Sequence, residues 1–143
     1  VISEQPLSAE QQRLVAGVLM IYRNQIGLLD YSEHDTLTGL LNRKTFDDQF
    51  LKCRGEQAAG GAALWLGVID IDHFKRVNDG FGHLIGDEVL LLVARLLRSA
   101  FRHGDRLYRF GGEEFVVLLR ADAREHAELA FERFRAQMEA FCF

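Results

Sequence analysis

The chain is expected to fold as an α/β domain, an α+β sandwich of sheet and helices, and three observations carry that expectation. Apolar residues recur at helical spacing in four separate stretches of the chain. Between two of them, residues 62–71 form a continuous apolar run of strand length. Two β-rich runs, 106–110 and 115–119, flank Gly111-Gly112, a short-range hairpin signal. Helical stretches alternating with strands call for layers of the two.

The first helix is expected to start at Ser8-Ala9-Glu10-Gln11, a capping box in which each end's side chain satisfies the other's free amide. Downstream, Val15, Leu19, Tyr22, Ile26 and Leu29 form one apolar row, and Leu14, Val18, Ile21 and Leu28 a second beside it. So wide a stripe must pack against something. It is either a helix lying on its own domain or a parallel coiled-coil leader joining two chains, and two heptads are too few to decide. Residues 35–43 interrupt the periodicity with turn formers and one glycine, a shaped connector between two helices. The next helix carries Phe46, Phe50 and Leu51 and ends at Gly60-Gly61. The run 62–71 reads as a buried strand with Asp70 and Asp72 at its carboxyl end, expected to point to opposite faces, one a ligand and the other structural.

Residues 74–83 read as a loop, dense in polar groups and glycine, joining that strand to a helix over about 86–101 with Gly104 just past its stop. The hairpin follows, and Ala127, Ala130, Phe131, Phe134, Met138 and Phe141 place a last helix over 123–141. The organisation expected is a linker helix over 1–33 and one cored domain over 34–143. There are no internal repeats or low-complexity tracts.

With 143 residues and 48% hydrophobic content there is enough chain for one core and too little for two. Seventeen Lys and Arg against 21 Asp and Glu leave a net charge of −4, the wrong sign for a general nucleic-acid binder. Any phosphate binding must be local. Cys53 and Cys142 match no disulfide framework or zinc spacing, which fits a reducing cytoplasm. The longest apolar stretch, 14–22, falls short of the ~20 residues that span a bilayer, so no membrane contact is expected. The first residue is Val1 and the last three are Phe141-Cys142-Phe143, an expectation of a fragment cut at both ends.

Chemistry concentrates at the strand ends. Glu113 and Glu114 are adjacent carboxylates in a hairpin turn, where they repel unless a cation faces them. If the hairpin pairs beside the first strand, Asp70 and a Glu converge, a ligand set suited to Mg²⁺, which takes few protein oxygens and fills the rest with water and phosphate. Acidic residues in turns are common and mostly just solvated, but Gly111 and Gly112 let a phosphate approach backbone amides. Lys75 suits a phosphate counter-charge, Asn78 a base edge, and Asp87 the N1 and N2 hydrogens of guanine. Asp87 equally suits the macrodipole of a helix's first turn.

The run Asp70-Ile71-Asp72-His73-Phe74-Lys75, with Asn78-Asp79, Phe81-Gly82-His83 and Gly86-Asp87, is followed by Tyr108-Arg109-Phe110-Gly111-Gly112-Glu113-Glu114-Phe115. Together with Asp35, Leu37-Thr38-Gly39-Leu40 and Asn42-Arg43 upstream, these motifs resemble the GGDEF domain family of diguanylate cyclases across roughly 85 residues. Glu113 stands where the family name has Asp; both occur and keep the carboxylate.

The resemblance implies a polymerase-palm, nucleotidyl-cyclase-like sheet flanked by helices that condenses two GTP into cyclic di-GMP and two pyrophosphates. It implies two Mg²⁺ (or Mn²⁺) per site held by Asp70, the carbonyl of Ile71, Glu113 and Glu114, with Glu113 and Asp70 as catalytic groups. Phe74, Lys75, Asn78, Asp87, Gly111 and Gly112 would contact GTP. Because the nucleophile on one GTP must meet the α-phosphate of another, a homodimer is implied, with the leader relaying an upstream sensor. Arg102 and Asp105, an Arg-x-x-Asp pattern, match the family's inhibitory product site, and Arg133 a secondary arginine of it. Ordinary C-capping and a solvated helix face explain these as well. The family domain continues with further strands, a helix and basic residues on the triphosphate. The 143-residue fragment is therefore expected to bind GTP weakly or turn over poorly.

Overall fold

The computed structural model describes residues 8–141, with the side chains of residues 29–31 outside that description. Leu29 of the first apolar row, Cys142 and Phe143 thus lie outside the described side chains. The described residues divide into two compact units that meet between Glu33 and His34.

The first unit is helix α1, Ala9–Glu33. Its capping box forms as the sequence calls for: Gln11 N donates to Ser8 Oγ at 3.2 Å and Ser8 N to Gln11 Oε1 at 2.9 Å. Leu14, Val15, Val18, Leu19, Ile21, Tyr22, Ile26 and Leu28, from both apolar rows, are exposed.

The second unit runs β1 (Leu41–Asn42), α2 (Arg43–Ala58), β2 (Leu64–Asp70), α3 (Phe74–Phe81), α4 (His83–Ala100), β3 (Arg106–Arg109), β4 (Glu114–Arg120) and α5 (Arg124–Glu139). The four strands form one mixed sheet in the order β1-β3-β4-β2, with β1 parallel to β3 and the other pairs antiparallel. This is the helix-flanked α+β sheet that the sequence predicts.

β4 is its centre. Phe115, Val117 and Leu119 face one core with Leu90, Val93, Leu97 and Phe134 from α4 and α5. Val116 and Leu118 face the other with Tyr108, against Phe46 and Phe50 of α2. A strand covered on both faces reads as an unbroken apolar run, as β4 does. In the second core the Phe46 ring meets Tyr108 and Phe110 edge-on, at 5.2 and 5.1 Å between centroids. The Tyr108 hydroxyl donates to Gln49 at 2.8 Å, and burial pushes its ionisation up to about 12.

Four expectations are corrected. First, residues 74–83 are mainly helix α3 rather than loop. Their glycine and polar content masks a short amphipathic turn anchored by buried Phe74. Second, α4 begins at His83, earlier than 86, and ends with Phe101 in extended conformation, so Gly104 is not a left-handed cap. Third, β2 is not buried on both faces. Only β4 pairs with it among the described residues, and Leu66 and Val68 are 48% and 65% exposed. Fourth, strict alternation would have put Asp70 and Asp72 on one face, not two. β2 stops at Asp70 and Asp72 is already in the turn, so strand alternation does not extend to Asp72. The two-residue β1, inside the expected connector, was not foreseen either; Asn42 closes it and caps α2 by accepting from Thr45 N at 3.0 Å.

Candidate active site

The ladder between β2 and β4 ends on the acidic residues. Asp70 stands directly opposite Glu114, and one step further Ile71 N donates to the Glu113 carbonyl at 3.3 Å. Opposed residues of an antiparallel pair have Cβ atoms ~5 Å apart, so two like charges face each other here, an arrangement that costs stability. Among the described residues Asp70, Glu113, Glu114 and Lys75 have no ion-pair partner. No three acidic, histidine or cysteine side chains among the described residues gather into a ready-made metal cage. A pair of unneutralised carboxylates still fits Mg²⁺ or Mn²⁺, which binds through one or two carboxylates and leaves its remaining positions to water and substrate phosphate.

The chain leaves β2 through a strained turn. His73 has a left-handed backbone, φ 59°, and its carbonyl accepts from Arg76 N at 2.8 Å. Non-glycine residues in this region cost roughly 1 kcal/mol and cluster at functional sites. Phe74 N reaches back to the Ile71 carbonyl at 3.3 Å, leaving one lone pair of that oxygen for a ligand.

The Gly-Gly turn does not use left-handed glycines: neither Gly111 nor Gly112 has positive φ. At Gly111 the Glu114 carboxylate lies close over the backbone, and a Cβ there would meet Glu114 Oε2 at 2.5 Å and turn that side chain aside. Gly112 opens onto empty space, where a phosphate could approach its amide.

A clamp holds the turn from behind. Arg109 donates to the carbonyls of Gly111 and Gly112 at 3.2 and 2.9 Å, and its remaining N–H groups grip Asp35 at 3.1 and 3.2 Å. Asp35 also accepts from Leu37 N, Thr38 N and the Thr38 hydroxyl at 3.1, 2.7 and 2.8 Å. Burial alone would raise the Asp35 carboxyl, but the Thr38 hydrogen bonds and the Arg109 charge together hold it below the usual 3.8. A carboxyl depressed on folding contributes stability above its unfolded value and loses it as pH falls through the folded one. Asp35→Ala is therefore expected to destabilise by about 1–3 kcal/mol at neutral pH. The gap to the parent should close below about pH 4, as followed by urea unfolding across the acid range.

Phe74 is buried on α3, while Lys75 is exposed and Asn78 half-buried. Asp87 lies on α4 beyond its first turn, which holds no acidic residue. The macrodipole account of Asp87 fails accordingly, since that effect fades within one turn.

A family model described as "Diguanylate cyclase, GGDEF domain" matches residues 32–142. The chain belongs to the GGDEF family. It is 48% identical over 109 residues to the diguanylate cyclase DgcP of Pseudomonas aeruginosa, covering 76% of this chain and 16% of that protein. To the cyclic di-GMP phosphodiesterase NbdA of the same organism it is 33% identical, covering 92% of this chain and 17% of NbdA. The chain thus spans about a sixth of each of these relatives. Among solved structures, the coiled coil and GGDEF domain of DgcB from Caulobacter crescentus, in complex with c-di-GMP, superposes with TM-score 0.87 at 30% identity, over 97% of this chain and 73% of that one. Diguanylate cyclases are the enzymes of cyclic di-GMP synthesis, and the palm-like sheet expected from the resemblance is that of these GGDEF neighbours.

Away from the acidic end of this GGDEF domain, Arg102, Asp105 and Arg133 line one cavity of about 260 Å³ with Arg120, Asp122 and His126. Arg102 N donates to Asp105 Oδ2 at 2.8 Å, which fixes the carboxylate and leaves the guanidinium without a partner among the described residues. Arg133 donates to the Ala100 carbonyl. Sequence reasoning missed Arg120, Asp122 and His126, which no motif marks. It also passed over Asp35 and Arg109 as a pair, although both lay inside quoted motifs.

Proposed function

We propose that this domain is the GTP-holding half of a diguanylate cyclase that condenses two GTP into cyclic di-GMP across a homodimer. The observation that carries the reading is the register of Asp70 against Glu114 beside the Glu113 carbonyl, acidic groups that have no protein counter-charge among the described residues. Asp70, the Ile71 carbonyl, Glu113 and Glu114 would hold two Mg²⁺ (or Mn²⁺), which when bound neutralise charge on the triphosphate and lower the pKa of the attacking 3′-hydroxyl. Glu113 takes the proton of that hydroxyl. The 3′-oxygen of one GTP bonds to the α-phosphorus of the other, the α–β bridge breaks, and pyrophosphate leaves; repeating the step from the second GTP closes the ring. Lys75 supplies charge to the phosphates, Phe74 shapes their floor, and the Gly111-Gly112 turn admits them. Asn78 and Asp87 read guanine.

Each domain holds one GTP, so two must face each other. The exposed apolar rows of α1 fit a second copy of the same helix, as a signalling leader over 1–33 driven by an upstream sensor. The domain is read as cytoplasmic, in a parent that a further N-terminal region could tether to a membrane; no described helix is long and apolar enough to cross one. The Arg102, Asp105 and Arg133 cavity suits cyclic di-GMP as feedback inhibitor, arginine gripping phosphate and guanine edges. A second reading, a non-catalytic receptor of cyclic di-GMP or GTP, draws on that cavity.

Incubating the full-length protein with GTP and Mg²⁺, beside Glu113→Ala, separates the readings. Chromatography is expected to find cyclic di-GMP from the parent and at least ~10²-fold less from the variant. No product from a folded, dimeric parent would reject the cyclase in favour of the receptor.

A further inference from the structure

The pairing of α3 with α4 contains a contact that the guanine-reading role of Asn78 does not by itself require. Phe74 and Asn78 are four apart on α3 and so share one face of it. Both lie over Gly86 of α4, which is buried. A Cβ on Gly86 would sit 3.3 Å from Phe74 Cζ and well inside 3.0 Å of Asn78 Oδ1. That is closer than any real Cβ approaches a neighbour, so residue 86 sets where the carboxamide is. Nothing else polar does: the Asn78 side chain makes no hydrogen bond among the described residues.

We propose that Gly86 is a positioning residue for guanine specificity, a notch that seats the oxygen of the Asn78 carboxamide and turns its amide nitrogen toward the base. The inference rests on the reading of Asn78 as a base contact. Guanine presents acceptors at O6 and N7, where adenine has an amino group beside N7. A seated Asn78 donates to the former, while Asp87 accepts the N1 and N2 hydrogens. The notch and the carboxylate are consecutive residues of α4, so donor and acceptor are set from one rigid backbone. Any side chain at 86 displaces the donor and leaves Asp87 where it was.

Calorimetric binding of α,β-methylene-GTP and α,β-methylene-ATP to the full-length protein, with Mg²⁺ present, tests this in Gly86→Ala, Asn78→Ala and the double variant. Each single substitution is expected to weaken the guanine analogue about tenfold, the worth of one hydrogen bond, and to leave the adenine analogue unchanged. The double variant should lose no more than Asn78→Ala alone, because the two act through one contact. It should also recover the thermal midpoint lost in Gly86→Ala, since truncating Asn78 clears the clash. Were Gly86→Ala to unfold, the double variant would carry the test, and binding weaker than in Asn78→Ala would overturn the proposal. Additive losses, equal weakening of both nucleotides, or parental binding by Gly86→Ala would likewise overturn it. Parental binding by Asn78→Ala would instead remove the base-reading role, and this inference with it.

Discussion

Asp70→Asn in the full-length protein is expected to abolish cyclic di-GMP formation, by about 10³-fold or more, while leaving the domain as stable as before or more so. The two halves of that expectation come from one contact. Asp70 and Glu114 face each other across the β2–β4 ladder, and no basic side chain among the described residues neutralises them. Like charges directly opposed in a sheet cost roughly 0.2–1 kcal/mol, so removing one charge at constant shape relieves a cost. The opposed carboxylates carry that cost while no cation lies between them, and a bound divalent ion at the proposed site would offset it. Cyclic di-GMP synthesis assayed with GTP and Mg²⁺, and the thermal midpoint of the same preparation without added divalent ions, decide it. Lost activity with a midpoint unchanged or raised fits the proposed cation site. A variant that stays active, or one that loses activity by melting early, contradicts it.

The parts of this site that were legible in the sequence are those that motifs place at the ends of apolar runs. The convergence of Asp70 with a glutamate needed only the assumption that the hairpin pairs beside the first strand. Which glutamate faces Asp70 was not legible, because it depends on register, and register turns on where the turn ends: Glu114 opens β4 and Glu113 stays in the turn. Helix α3 was hidden for a different reason. Its eight residues include Asn78, Asp79 and Gly80, all poor helix formers, and what holds them is the burial of Phe74 and the seat on Gly86, contacts made after folding. The clamp of Arg109 on Asp35 joins residues 74 apart, and no local pattern reveals a partner at that distance. Helices α4 and α5 were readable because their periodicity reports one buried face each, and β4 because a strand covered on both faces is an unbroken apolar run.

Phe115→Ala is expected to cost about 3–5 kcal/mol, the usual range for emptying a buried phenylalanine. The last residue of the Gly-Gly-Glu-Glu-Phe motif then acts through the core. Phe115 is 0% exposed, in the strand position next to Glu114, and packs with Phe74, Leu90, Val93, Leu97 and Phe134. Alternation along β4 forces this: with Glu114 directed to the Asp70 side, residue 115 must enter the core on the opposite face. The motif's acids and its aromatic are thus tied by strand geometry, the phenylalanine anchoring the strand whose first residue carries a carboxylate. A loss of that size is a large share of the 5–15 kcal/mol that holds an ordinary domain folded, so Phe115→Ala should melt well below the parent. Phe115→Leu, which keeps most of the volume, should cost much less and retain cyclase activity. Urea unfolding of the two variants beside the parent, with activity assayed below each midpoint, separates a core role from a site role. Equal stability of Phe115→Ala and the parent, with activity lost, would instead put the ring in the site.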